Sequence, residues 1–462
     1  MGLRRLGRFR ASVAVLATAG LLLSACGGDD ATDADATDDE VTDDDATNDA
    51  PAADGLAAEL GFDDGVAWSF LEDFSDVELN VMIHPSFYEG VGGDDGLFAE
   101  FEELSGARIN VVTAPAGESY ERQMIEWQAE SPTFDVVFPI YWDTHPGYIE
   151  HLEPLDDYIA AAPDEWDFEG IIPGVQEYLV WDGENKAILF RWGIEGYVYR
   201  ADLFEEAGID PPTTYDELVA AAEAVHEETG RHGWTMRGIG HEMVQDWLSL
   251  YATTGGTLYA DDGVTCAVDT PEGVDVLETV TRWVDEGVLP PDTLAVARDD
   301  SVALIQQDRS AQGFFFGGRW PLLSGEDAED VVRENLAWPD VHPGELSRNT
   351  PQSVAIARYS ENKDASWAFI EYLLHPKNTP RHVLEWSGTL NRTTDFDVPE
   401  VQEDFAIYEY FLDAADTSYV EPSNEQGNQI FDIMNEELTA AILGNKSAGE
   451  ALESACDRID SL

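Results

Sequence analysis

Val77, Leu79, Val81 and Ile83 alternate with Glu78, Asn80 and Met82. A period of two predicts a half-buried strand. The pattern turns helical from about Gly96 to Leu104, then gives a strand at Arg108–Thr113, a helix at about Glu118–Ala129 and an apolar strand at Asp135–Ile140. Strand–helix alternation with compact loops predicts a parallel sheet covered on both faces. Later helices carry start and stop signals. Thr214 with Glu217 reads as a capping box, Leu218, Ala221, Ala222 and Val225 share one face, and Gly230 ends the run. Pro271 opens another helix at its first position, with Val276, Leu277, Val280 and Val284 inward. Ser360 opens a third, stopped by Pro376, and Ser447 with Glu450 caps the last. No internal repeat is present.

The strongest local signal precedes all of this. A basic stretch, Arg4 to Arg10, leads into an apolar run from Ala11 to Ala25. The run is too short to cross a bilayer and fits a secretory signal peptide. It ends in Leu23-Ser24-Ala25-Cys26, followed by Gly27-Gly28, which resembles a bacterial lipobox. The resemblance implies that residues 1–25 are removed and that Cys26 is lipidated. Residues 26–75 are expected to form an acidic disordered tether. From Asp29 to about Asp54 there is almost no large apolar residue to offset ordering entropy, and like charges extend the chain. The stretch from Asp33 to Asp45 is no EF-hand loop, because Gly at the sixth position and Glu at the twelfth are both missing.

The 462 residues, less leader and tether, are too many for one core and suit two lobes. The formal charge of −70, from 94 acidic and 24 basic side chains, argues against nucleic acid as a partner. Acids spread through every segment read as a solvated, salt-adapted surface, since screening shortens to about 3 Å at 1 M salt. Cys266 and Cys456 either pair, in an oxidising exterior, or stay as buried thiols. No enzyme motif is complete. His241-Glu242 would need a second His at position 245, where Gln245 stands. There is no Gly-x-Ser-x-Gly elbow, and Gly444-Asn445-Lys446-Ser447 lacks the Gly-Lys pair of a phosphate loop. No cofactor, catalytic residue or metal site is expected. A glycoside-acting carboxylate pair remains an alternative among so many acids.

Several blocks, in order, resemble the bacterial solute-binding proteins of the maltose-binding type (family 1). They are Phe134-Asp135-Val136-Val137; Leu152-Glu153-Pro154-Leu155; Tyr197-Val198-Tyr199-Arg200 through Asp216-Glu217-Leu218; Gly317-Gly318-Arg319-Trp320; Ser366-Trp367-Ala368-Phe369; and Gly388-Thr389-Leu390-Asn391-Arg392. The chain departs from the pattern at Arg200, where most relatives carry Asn, and at Ala187–Trp192. The resemblance implies an α/β, two-lobed, periplasmic-binding-protein-like (type II) fold, each lobe a mainly parallel sheet flanked by helices around a ligand cleft. Residues 76–193 plus 351–386 would form lobe 1, and 194–350 plus 387–462 lobe 2. It also implies the extracellular receptor of an ABC importer, a monomer lipid-anchored at the outer face of the cytoplasmic membrane, which closes on a sugar or polyol and docks on permease subunits. A surface sensing or adhesion module is the alternative. Sugar recognition needs aromatic faces and polar side chains just beyond the carboxyl ends of strands. That rule, with the family's usual positions, selects His84, Tyr88, Glu118, Tyr120, Tyr141, Trp142, Asp143, Trp192, Glu195, Trp247, Arg319, Trp320, Trp386 and Arg392.

Overall fold

The computed structural model describes residues 50–140, 145–260, 262–386, 389–415, 418–421 and 425–462. The leader, Cys26 and the Asp-rich stretch to residue 49 lie outside the described residues. Eight strands form one sheet: β1 (Glu78–Ile83), β2 (Arg108–Thr113), β3 (Val136–Val137), β4 (Ile188–Arg200), β5 (Gln312–Phe316), β6 (Leu336–Ala337), β7 (Ser347–Ile356) and β8 (Ser418–Tyr419). The main path runs β2-β1-β3-β7-β4-β5, with β8 beside β7 and β6 beside β4. Parallel pairing, as expected from the strand–helix alternation, joins β1 to β2 and β3. Around β4 the expected parallel pairing gives way to antiparallel, with β5, β6 and β7 as partners. The cause is the length of β4. Its first half pairs with β7 over Ile188–Ile194, and its second half pairs with β5 over Glu195–Tyr199, so one strand serves both halves of the molecule.

The principal helices are α1 (Ala50–Glu59), α2 (Leu97–Ser105), α3 (Ala116–Gln128), α4 (Tyr215–Thr229), α5 (His241–Ala252), α6 (Pro271–Glu286), α7 (Arg298–Gln306), α8 (Lys363–Leu373), α9 (Ile407–Ala415), α10 (Gly427–Ile442) and α11 (Ala448–Ile459). Their ends follow local chemistry. Ser447 Oγ accepts from the Glu450 N–H at 3.3 Å while Glu450 accepts from the Ser447 N–H at 3.0 Å, a complete capping box. At α4, Thr214 accepts from Glu217 N–H, but the Glu217 carboxylate takes the N–H of Thr213, one residue earlier than expected.

Two large apolar cores result. One gathers Leu79, Val81, Phe101, Val136 and Phe369 between β1–β3, α2 and α8. The other gathers Leu218, Trp247, Val276, Trp283, Leu438 and Leu452 between α4, α5, α6, α10 and α11. The chain divides between them differently from the expected boundaries. Leu390, Phe405, Phe411 and Val420 pack into the first core, although residues 387–462 were expected in the second; only from Ile430 onward does the chain join it. The reason is a close approach. The Phe411 ring of α9 occupies the space beside Gly196 of β4, where a Cβ would lie 2.0 Å from it.

A second correction concerns the tether. Residues 53–75 are not a spacer, because Phe62, Trp68 and Phe70 are buried in the first core. Phe62 meets Phe70 edge-on at 4.9 Å, Trp68 meets His375 at 4.5 Å, and Ser69 N–H donates to Glu371 of α8 at 2.7 Å. Each buried ring contributes about 1.5–3 kcal/mol toward holding the segment on the first core. Cys266 and Cys456 form a disulfide across a sequence separation of 190, tying the segment before α6 to α11.

Candidate functional site

A cavity of about 460 Å³ opens where β1, β4, β5 and β7 meet α7. One wall comes from His84, Ser86, Phe87 and Gly90 after β1, from Arg191–Gly193 of β4 and from Thr350 and Gln352 of β7. The facing wall comes from Arg237 and Gln245, from Arg298 and Ser301 of α7, and from Phe314–Phe316 with Arg319 at the end of β5. Trp386 and Thr389 close one side. The position beyond strand carboxyl ends follows the rule for open α/β sheets. Glycine makes the tight weave at the base possible: a Cβ on Gly193 would lie 2.3 Å from Thr350 Oγ1 and 2.9 Å from its carbonyl oxygen.

Four of the expected residues line this cavity. His84 caps the short helix Pro85–Glu89, its Nδ1 accepting from Ser86 N–H at 3.2 Å. Burial, then Arg298 and Arg191, hold its pKa below the usual histidine value, so the ring is neutral at pH 7. Trp192 donates its backbone N–H to Thr389 Oγ1 at 3.1 Å, while its indole N–H is buried with no partner among the described residues. Arg319 faces Asp299 at 3.4 Å, and Trp386 carries the Arg381 guanidinium on its ring at 5.0 Å.

Tyr141, Trp142 and Asp143 lie outside the described residues. The other expected residues lie elsewhere. Tyr88 donates to Asp94 at 2.8 Å, Glu118 is exposed beside Arg122, and Tyr120 shares a 2.7 Å hydrogen bond with His145. Trp320 is buried against Trp338, and Trp247 is stacked on Tyr251 in the second core. Arg392 is buried over the Trp166 ring and donates to the Leu374 carbonyl at 2.8 Å. Each is thus held by packing or by internal partners away from the cavity.

Glu195 is the informative displacement. It is buried behind the cavity, 3.2 Å from Arg237 Nη2 and 3.4 Å from Arg348 Nη1, and it accepts from Ser249. Arg237 also donates through Nε to Asp246 at 2.8 Å, and Arg348 donates to Glu421 at 2.6 Å. This network fixes Arg237 on the wall, its guanidinium 5.3 Å from the Phe316 ring centroid. Arg237 and Arg298 were missed from sequence, though signals existed. Arg237 ends the strand-like run Trp234-Thr235-Met236, and Arg298 puts a cation on the first turn of α7, where the helix dipole disfavours it.

Buried titratable groups give a pH dependence. Burial pulls His375 and His382 down to about 3 and His342 to about 4, against about 6.5 in the unfolded chain. Groups with depressed folded values stabilise fully above pH 6.5, and that stability is lost as pH falls below it. Burial lifts Asp395 to about 6 and Asp246 above the usual carboxylate range, which works the other way below pH 6. Burial also holds His84, His145 and His151 below the usual histidine value and lifts Glu371, so six such histidines stand against three such carboxylates. Stability is expected to fall between pH 7 and pH 5, by about 1.4 kcal/mol per pH unit for each net proton the unfolded chain takes up, read as a lower urea midpoint.

The sequence profile of a family described as bacterial extracellular solute-binding proteins matches residues 87–380. A binding protein of Brucella abortus (strain 2308) is 24% identical over 330 residues, which are 67% of this chain and 74% of that protein. The erythritol/L-threitol-binding protein of Mycolicibacterium smegmatis is 25% identical over 224 residues, 45% of this chain and 46% of its own. An ABC transporter solute-binding protein of Agrobacterium radiobacter K84, solved in complex with ribitol, superposes with a TM-score of 0.72 at 20% identity, covering 84% of this chain and 100% of that one. The two-lobed periplasmic-binding-protein-like α/β fold is thereby established.

Proposed function

Because the chain belongs to the family of bacterial extracellular solute-binding proteins, we propose that it is an ABC-importer receptor that captures a sugar or polyol and passes it unchanged to a membrane permease. The observation that carries this reading is the cavity itself, walled by both halves of the molecule and floored by β4 and β7, which serve both. Phe87, Trp192, Phe315 and Trp386 offer apolar faces for ligand C–H groups, and Gln245, Thr350 and Gln352 offer amide and hydroxyl partners for ligand hydroxyls. Its volume falls in the lower part of the range for small-molecule sites, about 300–1,000 Å³. The ribitol of one relative and the erythritol or threitol of another make a polyol the first ligand class to try.

Ligand bridges the two walls, and closure about the shared strands completes its contacts, the hinge mode of binding proteins. It shifts the open–closed equilibrium only by its differential affinity for the closed form. Lipidation at Cys26, cleavage of residues 1–25 and a monomeric state belong to the same proposal; the lipobox-like Leu23-Ser24-Ala25-Cys26 supports the first two. A thermal-shift screen of sugars and polyols tests the reading. At 100 times its Kd a ligand stabilises by about 2.7 kcal/mol, and the recovered ligand should be chemically unchanged. Turnover of the ligand would replace the receptor reading with an enzymatic one.

A further inference from the structure

Over the whole chain acidic side chains outnumber basic ones 94 to 24, yet the described cavity wall carries Arg191, Arg237, Arg298 and Arg319 against one acid, Glu89. The four arginines are not equally free. Arg237 is matched by Asp246 and Glu195, and Arg298 is paired with Glu242. Among the described residues Arg319 has only Asp299 as an ion-pair partner, 3.4 Å away and 92% exposed, so solvent screens that pair. Arg191 is the exception. Its guanidinium lies 5.0 Å over the Phe87 ring and donates to the Ser86 carbonyl at 3.3 Å, its Nε is buried without a hydrogen-bond partner, and no carboxylate lies within ion-pair distance among the described residues. Beside it the Trp192 indole N–H is a second buried donor without a partner.

We propose that the solute carries an anionic group, a carboxylate or a phosphate on a polyhydroxylated body, and that Arg191, with Arg319 across the cavity, binds it. The inference rests on the receptor reading above and narrows its ligand class. A neutral solute entering this cavity strips water from an uncompensated cation and returns no charge, whereas an anion returns charge-assisted hydrogen bonds in their place. Burial lowers the Arg191 pKa only to about 10, so it stays charged at neutral pH, and the positive charge of Arg319 acts in the same direction. The chain's large negative charge does not oppose this at short range. At 0.15 M salt the screening length is about 8 Å, so distant surface carboxylates count for little inside the cavity.

The experiment is calorimetric titration of the protein with three matched probes: ribitol, ribonate and ribitol 5-phosphate. Either anion is expected to bind about 10–100-fold more tightly than ribitol, the range of a hydrogen-bonded charge; the better of the two assigns the anion as carboxylate or phosphate. Arg191→Gln should bring the ratio of anion to ribitol affinity close to one, and Arg319→Gln, on the opposite wall, should reduce that ratio in part, a second test should the first variant misfold. Ribitol binding as tightly as both anions would overturn the inference and leave the receptor reading standing. An anion advantage that survives in both variants would also overturn it. If neither these probes nor a broad sugar panel binds the folded protein, the receptor reading itself fails, and the inference with it.

Discussion

Replacing Arg348 with alanine is expected to destabilise the fold by about 3–5 kcal/mol, the loss typical of breaking a buried ion pair from one side. Arg348 is fully buried on β7, between Glu195 on β4 at 3.4 Å and Glu421 at 2.6 Å, and it also donates to the Gln245 carbonyl at 3.3 Å. Without it Glu421 loses its only ion-pair partner among the described residues, and Glu195 keeps only Arg237. The remaining charge at Glu195, Asp246 and Glu421 would be three carboxylates against one guanidinium. Burial already lifts Asp246 above the usual carboxylate range, so its protonation can relieve part of that excess, and the variant should recover part of its loss as pH falls from 7 toward 5, opposite to the parent protein. Arg348→Met with Glu421→Gln removes charge in balance and should lose less than the single alanine variant. Denaturant midpoints of the three proteins at two pH values decide it. Equal losses in the single and double variants would mean that packing, not charge, is what Arg348 supplies.

The disulfide carries the second large effect. Its sequence separation of 190 closes a long loop, and the chain-entropy relation for a loop of this size gives about 5 kcal/mol on removing the bond. Cys266→Ala with Cys456→Ala should therefore lower the thermal midpoint by several degrees. Both cysteines are buried in the second core, so a reductant should act on the folded protein slowly, at the rate at which α11 opens. A double variant as stable as the parent would show that strain or residual unfolded-state structure cancels the entropic gain.

The sequence made some elements plain and hid others for definite reasons. β1, β2, α2 and the Ser447 cap obey local rules, and they stand where the pattern predicts. Whether Cys266 and Cys456 pair was open in the sequence, because pairing depends on Cα–Cα proximity, here 5.1 Å, and not on spacing along the chain. The site was legible in position but not in membership. Strand β4 is buried on both faces from Trp192 to Arg200, so it shows no alternation to tell which residues face a cavity and which a core. Trp192 and Glu195 therefore look alike in sequence, although one lines the cavity and the other lies behind it in an ion network. Trp247, Trp320 and Arg392 fail for a related reason: a large side chain near a strand end serves a core as readily as a ligand. The buried Phe62, Trp68 and Phe70 were readable as core, and were masked only by the acidic run before them.

The shared strands have a consequence for inheritance. The first core draws on residues from Ala57 to Val198 and again from Val302 to Val420, the second on residues from Tyr197 to Leu289, on Ala311, Phe314 and Ala337, and again from Ile430 to Ile459. No contiguous stretch of the gene encodes either half of the molecule. Recombination cannot swap one half for another with a single exchange, as it can between domains strung on a linker. A lineage of such proteins must change what it recognises residue by residue along the two facing walls.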